Sequence, residues 1–218
     1  MRMEGFRMKR LRYQVAVSLD GFIAGPEGEY DWIVSDSSID FGALFKEFDT
    51  AVMGRKTYEV LTAQGGSGTL TGLDVVVFSR SLPPKIAKGI RITRDDASGV
   101  VAALKKQPGR DVWLFGGGAL FRSLLDAGLV DTVEVALIPV LLGSGIPLLP
   151  PGAPATLELF DRKVLPASGI VMLSYRVKAR HARGARIRYI KARSTTGTSH
   201  SASKRAGKKR SARGTKSV

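Results

Sequence analysis

Apolar and polar positions alternate along Leu11–Ser18 (LRYQVAVS), which predicts a strand. Two other stretches, Asp74–Phe78 (DVVVF) and 111–115 (DVWLF), are continuous apolar runs of strand length. That pattern belongs to strands covered on both faces. Shorter runs at 51–53, Ile90–Thr93 and Thr132–Ile138 predict further strands. Helical spacing appears in four places. Segment 36–48 carries Ile39, Leu44, Phe45 and Phe48, and 57–61 opens a second helix. Segment 97–106 turns Val100, Val101 and Leu104 inward, and 119–127 does the same with Leu120, Leu124 and Leu125, with Gly128 as its stop. The last two apolar runs, 157–164 and 170–178, read as an antiparallel pair joined across Pro166–Gly169. Strands alternating with short helices, then strands alone, predict an α/β fold. Its central sheet is mostly parallel, with an antiparallel C-terminal edge and about four flanking helices.

Charge divides the chain. Of 34 Lys and Arg in 218 residues, 14 fall in 178–218, where there is no Asp or Glu. The part before it holds 20 basic and 19 acidic residues and is close to neutral. Both histidines, His181 and His200, lie in the basic part, and cysteine is absent. Disulfides, thiol nucleophiles and Cys-ligated metals are thereby excluded, and so are His-based triads and His-ligated metals within 1–178. The sequence therefore predicts a globular domain over 1–178 and a basic, largely disordered tail over 179–218, too poor in apolar residues to offset its ordering entropy. No apolar run reaches membrane-spanning length. The N-terminus lacks the apolar stretch and cleavage site of a signal peptide, so it reads as unprocessed and cytoplasmic.

Candidate chemistry gathers where strands end. In VWLFGGGALFRSLL (112–125) a buried strand runs through Gly116, Gly117 and Gly118 straight into a helix. Such a turn lets backbone approach an anion and aims free N–H groups at it; a tight turn without a ligand is the plainer alternative. In VMGRKTYEVL (52–61) Gly54 is followed by Arg55, Lys56 and Thr57 at a helix start. Cations there oppose the helix dipole, which makes sense if an anion is also bound, though solvated surface charge would look the same. In VVVFSRSLPP (75–84) Ser79 and Arg80 follow a buried strand directly. Ligands of open α/β sheets bind at the carboxyl ends of strands. Three such ends point to one polyanionic ligand spanning them.

Four segments in order, VAVSLDGFIAG (15–25), MGRKTYE (53–59), VFSRS (77–81) and WLFGGGALF (113–121), together resemble the dihydrofolate reductase superfamily over about 11–178. The likeness is greatest to the bacterial branch that includes the C-terminal reductase domain of riboflavin biosynthesis. It implies a three-layer dihydrofolate reductase-like fold and NADPH as cofactor. Gly54, Arg55, Lys56 and Thr57 would contact its phosphates. Arg55, Ser79 and Arg80 would take the 2′-phosphate and adenosine side, where two arginines suit a dianion better than a ribose diol. Gly116 and Gly117, which often form a cis peptide in the family, would cradle the pyrophosphate with Gly118 and Ala119. Phe115 and Phe121 flank that cradle, and Ala16 and Ile23 match positions lining the nicotinamide.

The same resemblance implies hydride transfer to a small heterocyclic, carbonyl or imine substrate, and a homodimer. Residues 62–74 (TAQGGSGTLTGLD) lack the Arg-bearing stretches that hold folate or a ribityl phosphate in relatives, so the substrate stays open. Asp20, Asp36 and Asp40 are the candidate proton donors, with water beside them and Tyr58, whose helix position also suits packing. Each acid also has an ordinary role: Asp20 as a turn residue before Gly21, Asp36 as a helix N-cap, Asp40 as first-turn charge compensation. Trp32 either shields the substrate pocket or is core. The apolar loop 139–150 (PVLLGSGIPLLP) either walls the substrate or forms a dimer surface. An alternative function is polyanion binding: the tail would hold nucleic acid non-specifically and in a salt-dependent way.

Overall fold

The computed structural model describes residues 7–63, 68–70, 72–87 and 89–178. The basic tail, 179–218, lies outside them. The chain runs β1 (Leu11–Ser18), β2 (Phe22–Ala24), α1 (Phe41–Phe45), β3 (Phe48–Gly54), α2 (Arg55–Ala63), β4 (Asp74–Phe78), β5 (Lys85–Ala87) and β6 (Ile90–Thr93). It continues with α3 (Ala97–Lys105), β7 (Asp111–Gly116), α4 (Gly118–Asp126), β8 (Thr132–Ile138), β9 (Ile146–Pro147), β10 (Leu157–Leu165) and β11 (Ile170–Val177). Nine strands form one sheet in the order β10-β11-β8-β1-β7-β3-β4-β6-β5, and β2 and β9 pair separately. The central neighbours β8, β1, β7, β3, β4 and β6 are parallel. The edges are antiparallel: β10 and β11 on one side, β5 on the other.

Side-chain alternation along these strands makes three layers. Tyr13, Val52, Val76, Val112 and Leu114 point to one face and pack with α3 and α4. Ala51, Met53, Val75, Val77 and Trp113 point to the other face and pack with α1 and α2. Covering on both faces explains the unbroken apolar runs of β4 and β7. Helix α4 ends in a Schellman motif. Gly128, at φ +70°, donates its N–H to Leu125 O, and Leu129 N–H reaches back to Leu124 O.

One helix is much shorter than its pattern predicts. Within 36–48 only Phe41–Phe45 is helical, and its N-cap is Asp40, whose carboxylate accepts the Ala43 N–H at 2.9 Å. Phe48 belongs instead to β3, fully buried and stacked on Trp113 with centroids 5.3 Å apart. Three very short strands, β2, β5 and β9, are absent from the sequence pattern. Two or three residues are too few to show a period. Among the described residues no helix is long and apolar enough to cross a membrane.

Candidate active site

The parallel strands β1, β7, β3 and β4 are neighbours, so their carboxyl ends share one rim. Register puts Met53 opposite Gly116 and Gly54 opposite Phe78. The segments beyond those ends, Arg55–Thr57, Ser79–Arg80 and Gly116–Ala119, are thereby brought side by side.

Glycine allows close approach at this rim. The Gly116–Gly117 peptide is cis, and Gly116 has φ +150°. A Cβ on Gly116 or Gly117 would lie 3.3 Å from Thr57 Oγ1, so the turn and the start of α2 face each other closely. A Cβ on Gly118 would come within 2.8 Å of Pro147 O. Helix α4 begins after Gly117 with no side-chain cap. Its first N–H groups, at the positive end of the dipole, are thus left to backbone, solvent or ligand.

The cations around this turn differ in their commitments. Arg55 donates to both oxygens of Glu59 at 2.7 Å, one turn along α2. Both partners are well exposed, so solvent screens the pair and a phosphate can compete for the guanidinium. Lys56 and Arg80 are exposed, and neither has a hydrogen-bonding partner among the described residues. Ser79 is buried, and its hydroxyl accepts the Leu82 N–H at 2.9 Å, which rounds the chain behind Arg80.

The nicotinamide-matching positions lie toward β1. Ala16, Trp32, Ile33, Ile39 and Met172 pack against the buried cluster of Ile138, Leu165 and Ile170, whereas Ile23, Leu148 and Leu149 pack on the opposite cluster. Trp32 joins this wall, with its indole N–H donated to Glu29 O at 3.1 Å. Phe115 packs between the clusters under α1 and α2. Phe121 is not at the rim: it is buried and stacked on Tyr13 at 4.0 Å, beneath α4.

All three candidate acids are tied as acceptors. Asp20 takes the Ser18 hydroxyl at 2.6 Å and the N–H groups of Leu142 at 3.2 Å and Gly143 at 2.7 Å. The Ser18 hydroxyl and these amides hold its carboxyl below the ordinary aspartate range. Asp36 takes the Ser168 hydroxyl at 2.6 Å, the Ser38 hydroxyl at 2.6 Å and the Ser38 N–H at 2.9 Å. These bonds, that from Ser168 foremost, pull its carboxyl down to about 2. Asp36 therefore caps no helix: it ties the loop before α1 to the β10–β11 turn. Asp40 is the cap. The partners Ser38, Leu142, Gly143 and Ser168 escape sequence reading because three of the four lie more than a hundred positions from the acid they hold.

The loop 139–150 closes over this end of the sheet. Leu19 N–H bonds Val140 O at 2.8 Å and Leu148 N–H bonds Gly21 O at 2.9 Å. Leu148 and Leu149 pack on the core, and Pro147 O sits against Gly118. The loop is therefore a wall of the rim.

Comparison with known proteins agrees with this arrangement. The family model of the RibD C-terminal domain matches residues 9–169. The chain belongs to the RibD C-terminal domain family. Bacillus subtilis YyaP is 33% identical over 153 residues, covering 65% of this chain and 81% of YyaP. The riboflavin biosynthesis protein RibD of Mycobacterium tuberculosis is 28% identical over 153 residues, covering 64% of this chain and 44% of RibD. Among solved structures, Enterococcus faecalis dihydrofolate reductase complexed with NADP(H) superposes with a TM-score of 0.60 at 20% identity, over 78% of this chain and 97% of that one. A riboflavin-biosynthesis-type protein of Shewanella sp. PV-4 gives 0.67 at 23%, over 78% and 99%. The domain is thus of an oxidoreductase family and has the dihydrofolate reductase-like fold.

Proposed function

We propose that this domain is an NADPH-dependent reductase acting on a small electron-poor C=N or C=O compound. The observation that carries the reading is the meeting of Thr57 with Gly116 and Gly117, which sets two helix starts against one glycine turn. The start of α4, which has no side-chain cap, suits a pyrophosphate. Arg80, free of partners among the described residues, and Arg55, held only by a solvated bridge, suit a 2′-phosphate. The residues present therefore fit the dinucleotide: Gly54–Thr57 and Gly116–Ala119 would hold its phosphates, and Ala16 and Trp32 lie on the side where its ring would rest. When bound, the nicotinamide supplies hydride. The chain's own part is to bind, orient and exclude water. Asp20 and Asp36 are tied as ionised acceptors, so a proton needed at the substrate would come from water.

The test is a nicotinamide-fluorescence titration of the full chain with NADPH and NADH, beside Arg55→Ala and Arg80→Ala. NADPH should bind more tightly than NADH. Loss of either arginine should cost NADPH about ten- to a hundredfold in affinity, the worth of a charge-assisted hydrogen bond, and leave NADH nearly unchanged. Absence of NADPH binding would remove the reading.

A homodimer forms part of the same proposal. Strand β10 supports it: eight of its nine residues are exposed, on both faces, and among the described residues its outer edge has no neighbour in the sheet. Leu157, Leu159, Phe160 and Val164 are among the exposed ones. A long unpaired edge with exposed apolar side chains between its charges can take another strand.

A further inference from the structure

One acid touches the cations of the rim, and it bears on which dinucleotide the rim selects, given the NADPH-reductase reading on which this inference rests. Between 54 and 94 the chain carries seven Lys and Arg but only two acids, Glu59 and Asp74. Asp74 opens the parallel strand β4 and so lies at its amino end, away from the rim. Glu59 lies one turn along α2 from Arg55, about 6 Å in rise. Of Arg55, Lys56 and Arg80, Arg55 alone has a hydrogen-bonding partner among the described residues, and that partner is Glu59.

The bridge is lopsided. Nη1 of Arg55 donates to both Glu59 oxygens at 2.7 Å, so the carboxylate spends both oxygens on one nitrogen. Both side chains are well exposed, and solvent weakens a pair of this kind. A 2′-phosphate carries about two negative charges at pH 7 against the carboxylate's one, so it can displace Glu59 from the guanidinium. The displaced carboxylate remains within a turn of Arg55. From there it repels the phosphate and cancels part of the arginine's attraction. Glu59 also has an ordinary role. The first turn of α2 holds no acid, and Glu59 offsets an arginine set against the positive end of the helix dipole. That role is indifferent to which dinucleotide is bound.

We propose that Glu59 is a specificity-determining residue, an internal counter-ion that competes with the 2′-phosphate for Arg55 and so sets how strongly NADPH is preferred over NADH. With NADH, whose 2′ position carries a neutral hydroxyl, Arg55 stays on Glu59. With NADPH, the phosphate takes the arginine and the carboxylate gives way. Glu59 therefore weakens NADPH binding, leaves NADH binding alone and narrows the margin between the two.

The experiment titrates the full chain with NADPH and NADH by nicotinamide fluorescence. It compares the parent with Glu59→Gln, Glu59→Asp, Arg55→Ala and the double variant Glu59→Gln/Arg55→Ala. Glutamine keeps the shape of Glu59 and removes its charge. It should tighten NADPH about three- to tenfold at low salt, with the gain shrinking as salt rises, and leave NADH nearly unchanged. Aspartate keeps the charge on a shorter arm and should stay closer to the parent than to Glu59→Gln. Without Arg55 there is no guanidinium to compete for, so adding Glu59→Gln to Arg55→Ala should gain about twofold or less. A purely helix-stabilising Glu59 would move NADPH and NADH together. If NADPH binds the parent and Glu59→Gln leaves the NADPH margin unchanged or narrows it, or the gain survives in full without Arg55, the inference is overturned while the reductase reading stands. Failure of NADPH to bind the parent overturns the reductase reading, and this inference with it.

Discussion

Asp20 and Gly143 are joined across 123 positions: an oxygen of the Asp20 carboxylate accepts the Gly143 N–H at 2.7 Å. Its second oxygen takes the Leu142 N–H and the Ser18 hydroxyl. One exposed side chain thus fastens the loop after β8 to the end of β1, and so holds one wall of the rim in place.

Asp20→Ala should release that wall. The amides of Leu142 and Gly143 should exchange hydrogen faster, while amides of β1 and β8 keep their protection. KM for the substrate should rise with little change in NADPH affinity. Unchanged exchange at both amides would show that the loop is held by its other contacts.

Asp36 makes the acid limb of stability depend on Ser168. Its folded carboxyl lies near 2, below the usual aspartate value of about 3.9. A depressed folded value means stability that is fully present above the unfolded value and lost as pH falls toward the folded one. Between about pH 4 and pH 2 the Asp36→Asn variant should therefore lose less stability than the parent. Ser168→Ala should behave in the same sense, with a smaller difference. Acid titrations followed by tryptophan fluorescence would read it, and parallel curves for parent and Asp36→Asn would contradict it.

Gly118→Ala places a methyl group 2.8 Å from Pro147 O, a backbone atom that cannot swing aside. The cost should be about 1–3 kcal/mol, the range of overpacking. NADPH affinity should fall as well, because the start of α4 must shift. Gly128→Ala, remote from the rim and strained by its φ of +70°, should lower stability without a matching loss of NADPH affinity. Melting curves and fluorescence titrations of the two variants separate packing from binding.

The proposed association through the β10 edge can be tested by charge reversal. Antiparallel pairing about a two-fold at Phe160, where β10 bulges against β11, would set Glu158 of one copy opposite Arg162 of its partner, twice over by symmetry. Arg162→Glu should weaken association about tenfold or more by placing like charges opposite each other. Adding Glu158→Arg should restore it. Sedimentation velocity gives the answer: a monomeric parent, or a charge swap that restores nothing, removes this interface.

Much of the fold was legible in the chain because the signals were local. Strands β4 and β8 occupy the stretches their patterns mark, and in β4 the run Val75–Phe78 is apolar because a strand inside the parallel part of the sheet is covered on both faces. Gly128 closes α4 because a left-handed residue is needed there. The segment 36–48 misled because the spacing of Ile39, Leu44, Phe45 and Phe48 fits a helix, yet Phe48 reaches its buried place only as the first residue of β3. A period reports which side chains are buried, not which element buries them.

The sequence by itself determined the alternation of strands and helices, the split between a neutral domain and a basic tail, and the glycine and arginine residues at the strand ends. These depend on residue type and near-neighbour spacing. Tertiary structure alone decided which strand ends adjoin, that Thr57 faces Gly116 and Gly117, that Phe121 turns into the core, and that Asp36 answers to Ser168. Those relationships join residues far apart in the chain. They follow from sheet order and register, which no local pattern encodes.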